Sequence, residues 1–320
     1  MASELVKKVF WYLCLVGVLV LLGWGLTILT DKVEYKWYWN RVPHNFFFNG
    51  PVDQFAKNDG VVSVITKNGE LSEIKIIYDN STVELVEVET KSLRIEAGKR
   101  VNENTELGYI KVWQQGILIK GLLLTLKFSI YATFFGMIIG LFAGLGRISS
   151  NPMIKGLSTI YVELIRGTPL LVQVFIIYYF LATVLGFGRT SSGVIALSVF
   201  AGAYVAEIVR AGIQSIDPGQ MEAARSLGMN YFQSMGYIIL PQAFKRIMPP
   251  LAGQFISLIK DSSLLSVIAI TELTKAGREI ITSTFAVFEI WFTVAALYLL
   301  LTFPLSMFVR YIERRFSVSD

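Results

Sequence analysis

Cysteine and histidine are almost missing from this chain. Among its 320 residues Cys14 is the only cysteine and His44 the only histidine. A single thiol excludes a disulfide within the chain, and in an apolar run it acts as a small hydrophobe. With no Cys/His cluster, no zinc site is expected and no metal ligand is assigned. No Gly-x-x-x-x-Gly-Lys-Ser/Thr stretch occurs, so the chain has no phosphate-binding loop of that kind. No catalytic residue and no bound cofactor are assigned. Charge is scarce too: 17% of residues carry it, against about a quarter in soluble domains, while 53% are hydrophobic. This balance favours an integral membrane protein.

The net charge of +5 is uneven. Residues 31–111 hold 11 basic and 13 acidic side chains, and the remainder holds 18 and 11. The basic residues are scattered near the ends of apolar runs, which argues against a nucleic-acid patch and for membrane topology. A bilayer core of about 30 Å needs about 20 apolar residues in a helix. Six runs qualify: 10–29, 117–145, 157–181, 193–213, 249–270 and 285–309. The first is read as an uncleaved anchor rather than a signal peptide, because Thr30, Asp31 and Lys32 follow it. Glu163, Arg166 and Pro169 interrupt the third. With six spans, Lys7, Lys8, Arg147, Lys155, Arg210, Arg225, Lys245, Arg246, Arg310, Arg314 and Arg315 fall on one side. By the positive-inside rule that side, with both termini, is cytoplasmic.

The 31–112 segment reads differently. Residues 61–65, 73–77, 83–88 and 92–95 are short and β-rich, with Asn68-Gly69 and Asp79-Asn80 as turns. They predict a small extracytoplasmic β domain inserted after the first helix. The stretch 95–110 resembles the lipoyl-like hammerhead of carrier and adaptor proteins. It has no lysine in the modified-turn context, so a structural module is expected. Trp37, Tyr38 and Trp39, just past the first span, fit an interfacial aromatic belt.

The loop after the fourth span is polar between two apolar runs. It carries Glu222, Ala223, Ala224 and Arg225, then Gly228 and Pro241. The spacing predicts a short helix over 220–230 that Gly228 ends. Inside the fifth span, Lys260 and Asp261 form an ionisable pair, which is costly in a membrane and faces a cavity or a partner. A mutual salt bridge or packing against a neighbouring helix is the other reading. Arg166, Thr168 and Pro169 either break the third span beside a pathway or mark a kink with Arg166 snorkelling at the inner boundary. Glu207 and Arg210 are expected to pair at i,i+3 spacing near the cytoplasmic face.

Four segments in order carry a family resemblance: Arg166-Gly-Thr-Pro-Leu-Leu-Val-Gln173, Ala203-Tyr-Val-Ala-Glu-Ile-Val-Arg210 with Gly212-Ile-Gln-Ser215, the Glu-Ala-Ala loop, and Lys260-Asp-Ser-Ser-Leu-Leu265. Over about 116–316 the chain resembles the permease subunits of polar amino-acid ABC importers of the histidine/glutamine/arginine type. The resemblance implies an all-α membrane protein of six transmembrane helices: a type I importer core of five plus the N-terminal anchor, with the β domain between. The division expected is 1–30 anchor, 31–112 β-rich domain and 113–320 permease domain, with a coupling loop at 213–246. It implies a multi-pass protein of the bacterial inner membrane, surrounded by lipid and binding no nucleic acid. It also implies separate ATPase subunits that use ATP, an extracytoplasmic amino-acid-binding protein, and a second permease subunit, either a copy or a paralogue. Glu222, Ala223, Ala224, Arg225 and Gly228 would contact the ATPase. Lys260, Asp261, Gln254, Arg166 and Thr168 would contact substrate, with Gln254 standing where relatives that carry cationic amino acids can have an acidic residue. An ion-coupled secondary transporter, for which no internal repeat is evident, and a membrane-anchored adaptor or sensor using the β domain are the alternatives.

Overall fold

The computed structural model describes residues 2–316; within α1 and at the C-terminal end some side chains, including those of Lys8 and Arg315, lie outside the described set. The chain divides into two compact units, 1–41 and 42–320. The first is a helix, α1 (Ala2–Lys32), whose 10–32 stretch is long and apolar enough to cross a membrane. Trp11, Leu13, Val20, Leu21 and Trp24 are all exposed, as lipid-facing side chains would be. Past it, Trp37 and Trp39 stack, and the Arg41 guanidinium lies over the Tyr38 ring.

The second unit opens with six strands: β1 (Phe47–Phe55), β2 (Gly60–Asn68), β3 (Leu71–Tyr78), β4 (Val83–Glu89), β5 (Arg100–Val101) and β6 (Glu106–Gln115). A four-stranded antiparallel sheet runs in the order β4-β3-β2-β5, and β1 pairs with β6 as a separate ribbon. Alternation sends Val62, Ile74, Ile76, Val86 and Val88 inward onto Val101 and Leu107. One expectation fails here. Residues 92–95 form no strand, because the Ser92 hydroxyl replaces the ladder: it receives the Tyr109 amide at 2.9 Å and donates to the Glu89 carbonyl at 2.8 Å. β1, outside the stretches read as β-rich, contains Asn49-Gly50-Pro51. A ribbon of two strands leaves each an open edge, where a proline without an N–H is tolerated.

Gly116 joins β6 to the helices, its amide donating to the Phe46 carbonyl at 2.7 Å. There follow α2 (Ile117–Arg147), α3 (Pro152–Arg166), α4 (Leu170–Phe175), a π-helical stretch (Ile176–Ala182), α5 (Thr183–Leu185) and α6 (Arg189–Gln214). Then come α7 (Pro218–Ser226), α8 (Tyr231–Ser234), a second π-helical stretch (Met235–Ile239), α9 (Leu240–Asp261), a 3-10 stretch (Ser262–Ile268), α10 (Leu273–Thr284) and α11 (Val287–Phe316). Five helices among the described residues are long and apolar enough to span a membrane, or six if α3 with α4–α5 counts as one.

The centre of this unit is the parallel pair α2 and α6. Gly136, Gly140 and Gly144 recur every four residues on α2 and face Ala201, Val205 and Val209 of α6. A Cβ at Gly136 would lie 2.7 Å from that of Ala201, and one at Gly144 would lie 2.8 Å from that of Val209. Small residues at this spacing let membrane helices approach backbone to backbone. The small-residue stripe was readable in the sequence but its partner was not.

Two expected spans are redrawn. The 157–181 run is not one helix: α3 and α4–α5 meet at 106° across Gly167-Thr168-Pro169. The far end of α3 stays beside the C-terminal end of α2, since Arg147 bridges to Glu163 at 3.2 Å. The continuous helical stretch after the break is 170–185, about 24 Å long. The 249–270 run starts too late, because Pro249 and Pro250 lie inside α9, whose helical path begins at Leu240. Between α9 and α11 the sequence suggests a short loop, but the structure has α10, capped by the buried Glu272 carboxylate, which accepts the Thr274 and Lys275 amides at 2.8 and 2.9 Å.

Replacing Gly144 by leucine is expected to force α2 from α6 and cost about 1–3 kcal/mol, the range for overpacking. Thermal aggregation of the detergent-solubilised protein checks this. Gly156→Leu, whose Cβ meets nothing within 4 Å, is expected to leave the transition unchanged.

Candidate functional site: elbow, α9 terminus and coupling segment

Three regions hold the residues singled out from the sequence. The first is the elbow between α3 and α4. Pro169 has no amide hydrogen to give, so the helix breaks and carbonyls are left over. Gln173 takes them up: its Nε2 donates to the Ile165 carbonyl at 2.6 Å, the Thr168 carbonyl at 3.0 Å and the Thr168 hydroxyl at 2.9 Å. The Thr168 hydroxyl donates in turn to the Leu164 carbonyl at 2.9 Å. Gln173 is buried, and its Oε1 has no hydrogen-bond partner. It closes the Arg-Gly-Thr-Pro motif, and only the bend explains why an amide stands there.

Arg166 points away from this elbow. It lies 3.6 Å from Glu207, over the Tyr204 ring at 5.5 Å. Glu207 also receives Arg147 at 2.5 Å and Arg210 at 2.5 Å. One carboxylate on α6 thus gathers cations from α2, α3 and α6. The expected Glu207–Arg210 pair is present, but as part of this larger cluster. Sequence spacing gives the i,i+3 pair and is blind to the two distant arginines.

The second region is the end of α9. Gln254 and Asp261, seven residues apart, share one helix face, while Lys260 points about 100° away. No salt bridge joins Lys260 to Asp261, and neither side chain makes a hydrogen bond among the described residues. The mutual pair that the sequence left open is therefore not formed. Leu170 and Val174 from the elbow share a buried cluster with Leu258 and Leu265. The structure thus brings the elbow backbone toward the α9 terminus, while Arg166 itself is turned to Glu207.

The third region is the polar segment. Asp217 caps α7, accepting the Gly219 amide at 2.7 Å, and Pro218 follows at the first helical position. The helix runs 218–226 rather than 220–230. Gly228, at φ +81°, turns the chain in the left-handed region. Asn230 and Gln233 then form a reciprocal capping box that opens α8. Ala224 is buried against the body, while Glu222, Ala223 and Arg225 face outward. Leu227 and Phe232, each 83% exposed, and Tyr237, 75% exposed, stand beside them. These three are not among the residues singled out from the sequence, although apolar side chains within a polar loop are the signal. Gln242 of α9 donates to Gln220 at 3.3 Å, and Arg246 of α9 donates to the Ser215 carbonyl at 2.6 Å. One helix therefore carries the polar segment's ties at one end and Gln254 and Asp261 toward the other.

Gln173→Leu removes the only side-chain donor that the Ile165 carbonyl has among the described residues. The variant is expected to lose about 1–3 kcal/mol, the penalty of leaving buried acceptors unpaired. It is checked by thermal unfolding in detergent, and an unchanged midpoint would remove Gln173 as the clamp of the elbow.

Comparison with known proteins places these features. The family model described as "Binding-protein-dependent transport system inner membrane component" matches residues 136–318. The glutamine transport system permease protein GlnP of Escherichia coli K12 is 40% identical over 205 residues, 63% of this chain and 94% of that protein. The L-cystine transport system permease protein TcyB of Bacillus subtilis is 42% identical over 201 residues, 62% of this chain and 86% of that one. A crystal structure of an amino acid ABC transporter with histidines superposes with a TM-score of 0.59 at 44% identity, covering 62% of this chain and 94% of that one. These relatives are named as permease or membrane components of transport systems, so neither a secondary transporter nor a sensor is favoured. The chain belongs to the family of binding-protein-dependent transport system inner membrane components.

Proposed function

We propose that the chain is the permease subunit of an inner-membrane ABC importer for a polar amino acid. The observation that carries this is the α7–α8 segment: a capped helix, a left-handed glycine and a row of exposed apolar side chains, tied to α9. Glu222, Ala223, Ala224, Arg225 and Gly228 form the surface that an ATPase subunit grips, with Leu227 and Phe232 as apolar anchors. ATP is used by that subunit. An extracytoplasmic binding protein delivers the cargo, and a second permease subunit, a copy or a paralogue, completes the pathway.

In this reading α1, α2, the α3–α5 segment, α6, α9 and α11 make six crossings. Both termini and α7 are then cytoplasmic, and the β domain is extracytoplasmic. Residues 1–30 form the anchor, 31–112 the outer domain, and 113–320 the permease domain with its coupling loop at 213–246. The cargo contacts Asp261 through its ammonium group and Lys260 through its carboxylate. Gln254 lies on the Asp261 face, and Thr168 and Arg166 border the pathway at the elbow. The named relatives carry glutamine and L-cystine, so the proposal for this chain stops at polar amino acids. Direction comes from differential affinity between two states of the pathway.

Uptake into proteoliposomes holding the permease, its ATPase and the binding protein tests the reading. Transport is expected only with ATP, and equal uptake without the ATPase would overturn it. In the same assay Asp261→Asn and Lys260→Ala are each expected to lower uptake about tenfold, the order for one lost charge-assisted hydrogen bond. Wild-type rates in both would remove the pair from the pathway. Gly228→Val is expected to uncouple ATP hydrolysis from uptake. Its Cβ would meet nothing within 4 Å, so the cost is backbone strain of about 1–2 kcal/mol. Gly228→Asn, which tolerates that conformation, is expected to keep most of the activity. Identical behaviour of the two variants would rule out the turn as the reason for glycine.

A further inference from the structure

A groove of about 580 Å³ runs along one side of the α2–α6 seam. Its walls are apolar along most of its length: Phe128, Phe135 and Ile139 from α2 face Val194, Ile195 and Val199 from α6. Two hydroxyl-bearing residues lie along it: Ser198, whose hydroxyl donates to the Val194 carbonyl at 2.6 Å, and Tyr131, one turn of α2 from Lys127. One end is different. Lys127, Thr190 and Ser191 meet there, all exposed. Neither the Lys127 ammonium nor the two hydroxyls have a partner among the described residues. No Asp or Glu lines the groove.

The depth of that end follows from helix geometry. Lys127 stands twenty residues from Arg147 on α2, and Thr190 stands twenty from Arg210 on α6, about 30 Å in each case at 1.5 Å per residue. Arg147 and Arg210 meet on the same carboxylate, Glu207. If that cluster marks the inner boundary, the amine and hydroxyls lie at the outer one, because the hydrocarbon core is about 30 Å thick. The other end of the groove is shut. The Tyr161 hydroxyl of α3 donates to the Val199 carbonyl at 2.7 Å, and a Cβ on Gly202 would lie 2.7 Å from that hydroxyl and 2.8 Å from Ile139. From Lys127 to Ile139 the slot is about 18 Å long, close to the roughly 15 Å thickness of one leaflet's hydrocarbon.

We propose that this groove is a binding site for one anionic glycerophospholipid of the outer leaflet. One acyl chain fills the slot down to Tyr161. The phosphate lies against Lys127 and the hydroxyls of Thr190 and Ser191, where the first amides of the 26-residue α6 also point outward. A second copy of this chain would have to bring a carboxylate to Lys127 at the membrane surface and an apolar finger into a blind slot. A phospholipid supplies both groups in one molecule, and the bilayer surrounds the groove. The leaflet assignment rests on the orientation given under Proposed function; the pairing of amine and slot does not.

The test uses the full-length permease with its ATPase, reconstituted in vesicles of equal parts phosphatidylglycerol and phosphatidylcholine and then extracted in mild detergent. Native mass spectrometry of the wild-type complex is expected to show phosphatidylglycerol retained in preference. Lys127→Gln is expected to reduce that preference about fivefold, the order for one lysine near an anionic surface. Ile195→Trp, which fills the slot, is expected to reduce retention of both lipids. A photo-reactive benzophenone amino acid at position 195 is expected to yield a lipid adduct. A protein adduct at 195, or equal lipid selectivity in the wild type and Lys127→Gln, would overturn the site. ATP-dependent uptake measured on the same vesicles reports the transport function separately, so loss of one reading leaves the other visible.

Discussion

The backbone approach of α2 to α6 is the constraint on which the rest depends. Three glycines four residues apart leave no room for a side chain between the helices. The two helices run parallel, so the chain between them must double back along the pair. That return is the α3–α5 excursion, and it bends at Gly167-Thr168-Pro169. A bent backbone in an apolar medium must find internal partners for its carbonyls, which is the service Gln173 performs. The same excursion lays α3 across the C-terminal ends of the pair. There Arg166 joins Arg147 and Arg210 on Glu207, and Tyr161 closes the groove beside the seam. A seam of small residues, a broken helix and a charge cluster are thus consequences of one packing decision.

The second organising element is α9. Its N-terminal half is tied to the polar segment through Gln242 and Arg246, and its C-terminal half carries Gln254 and Asp261. One helix thus joins the polar segment physically to the apolar body of the protein. Ala224 is packed while Leu227 and Phe232 are bare, so the segment is anchored on one side and offered on the other.

Much of this was legible in the sequence wherever the signal was local. Long apolar runs, the positive charges beside them and the four ordered motifs gave the helical core and the family. Alternating β-branched residues gave strands β2, β3 and β4. What stayed hidden depended on distant partners. Residues 92–95 look like a strand until the Ser92 hydroxyl takes the Tyr109 amide. The 157–181 run counts as one span until the α2–α6 pairing forces its bend. At the candidate site, the short helix of the polar segment was readable because caps and glycine act within a few residues. The gathering of three arginines on Glu207 was not, because they come from three separate helices.

The central claim is that the 218–234 segment delivers work from a separate ATPase to this membrane domain. It is tested most directly by placing a photo-reactive amino acid at position 227 and irradiating intact membranes that contain the whole transporter. The account predicts a cross-link to an ATPase subunit. Cross-links only to lipid or to this chain, in membranes that still show ATP-dependent uptake, would contradict it.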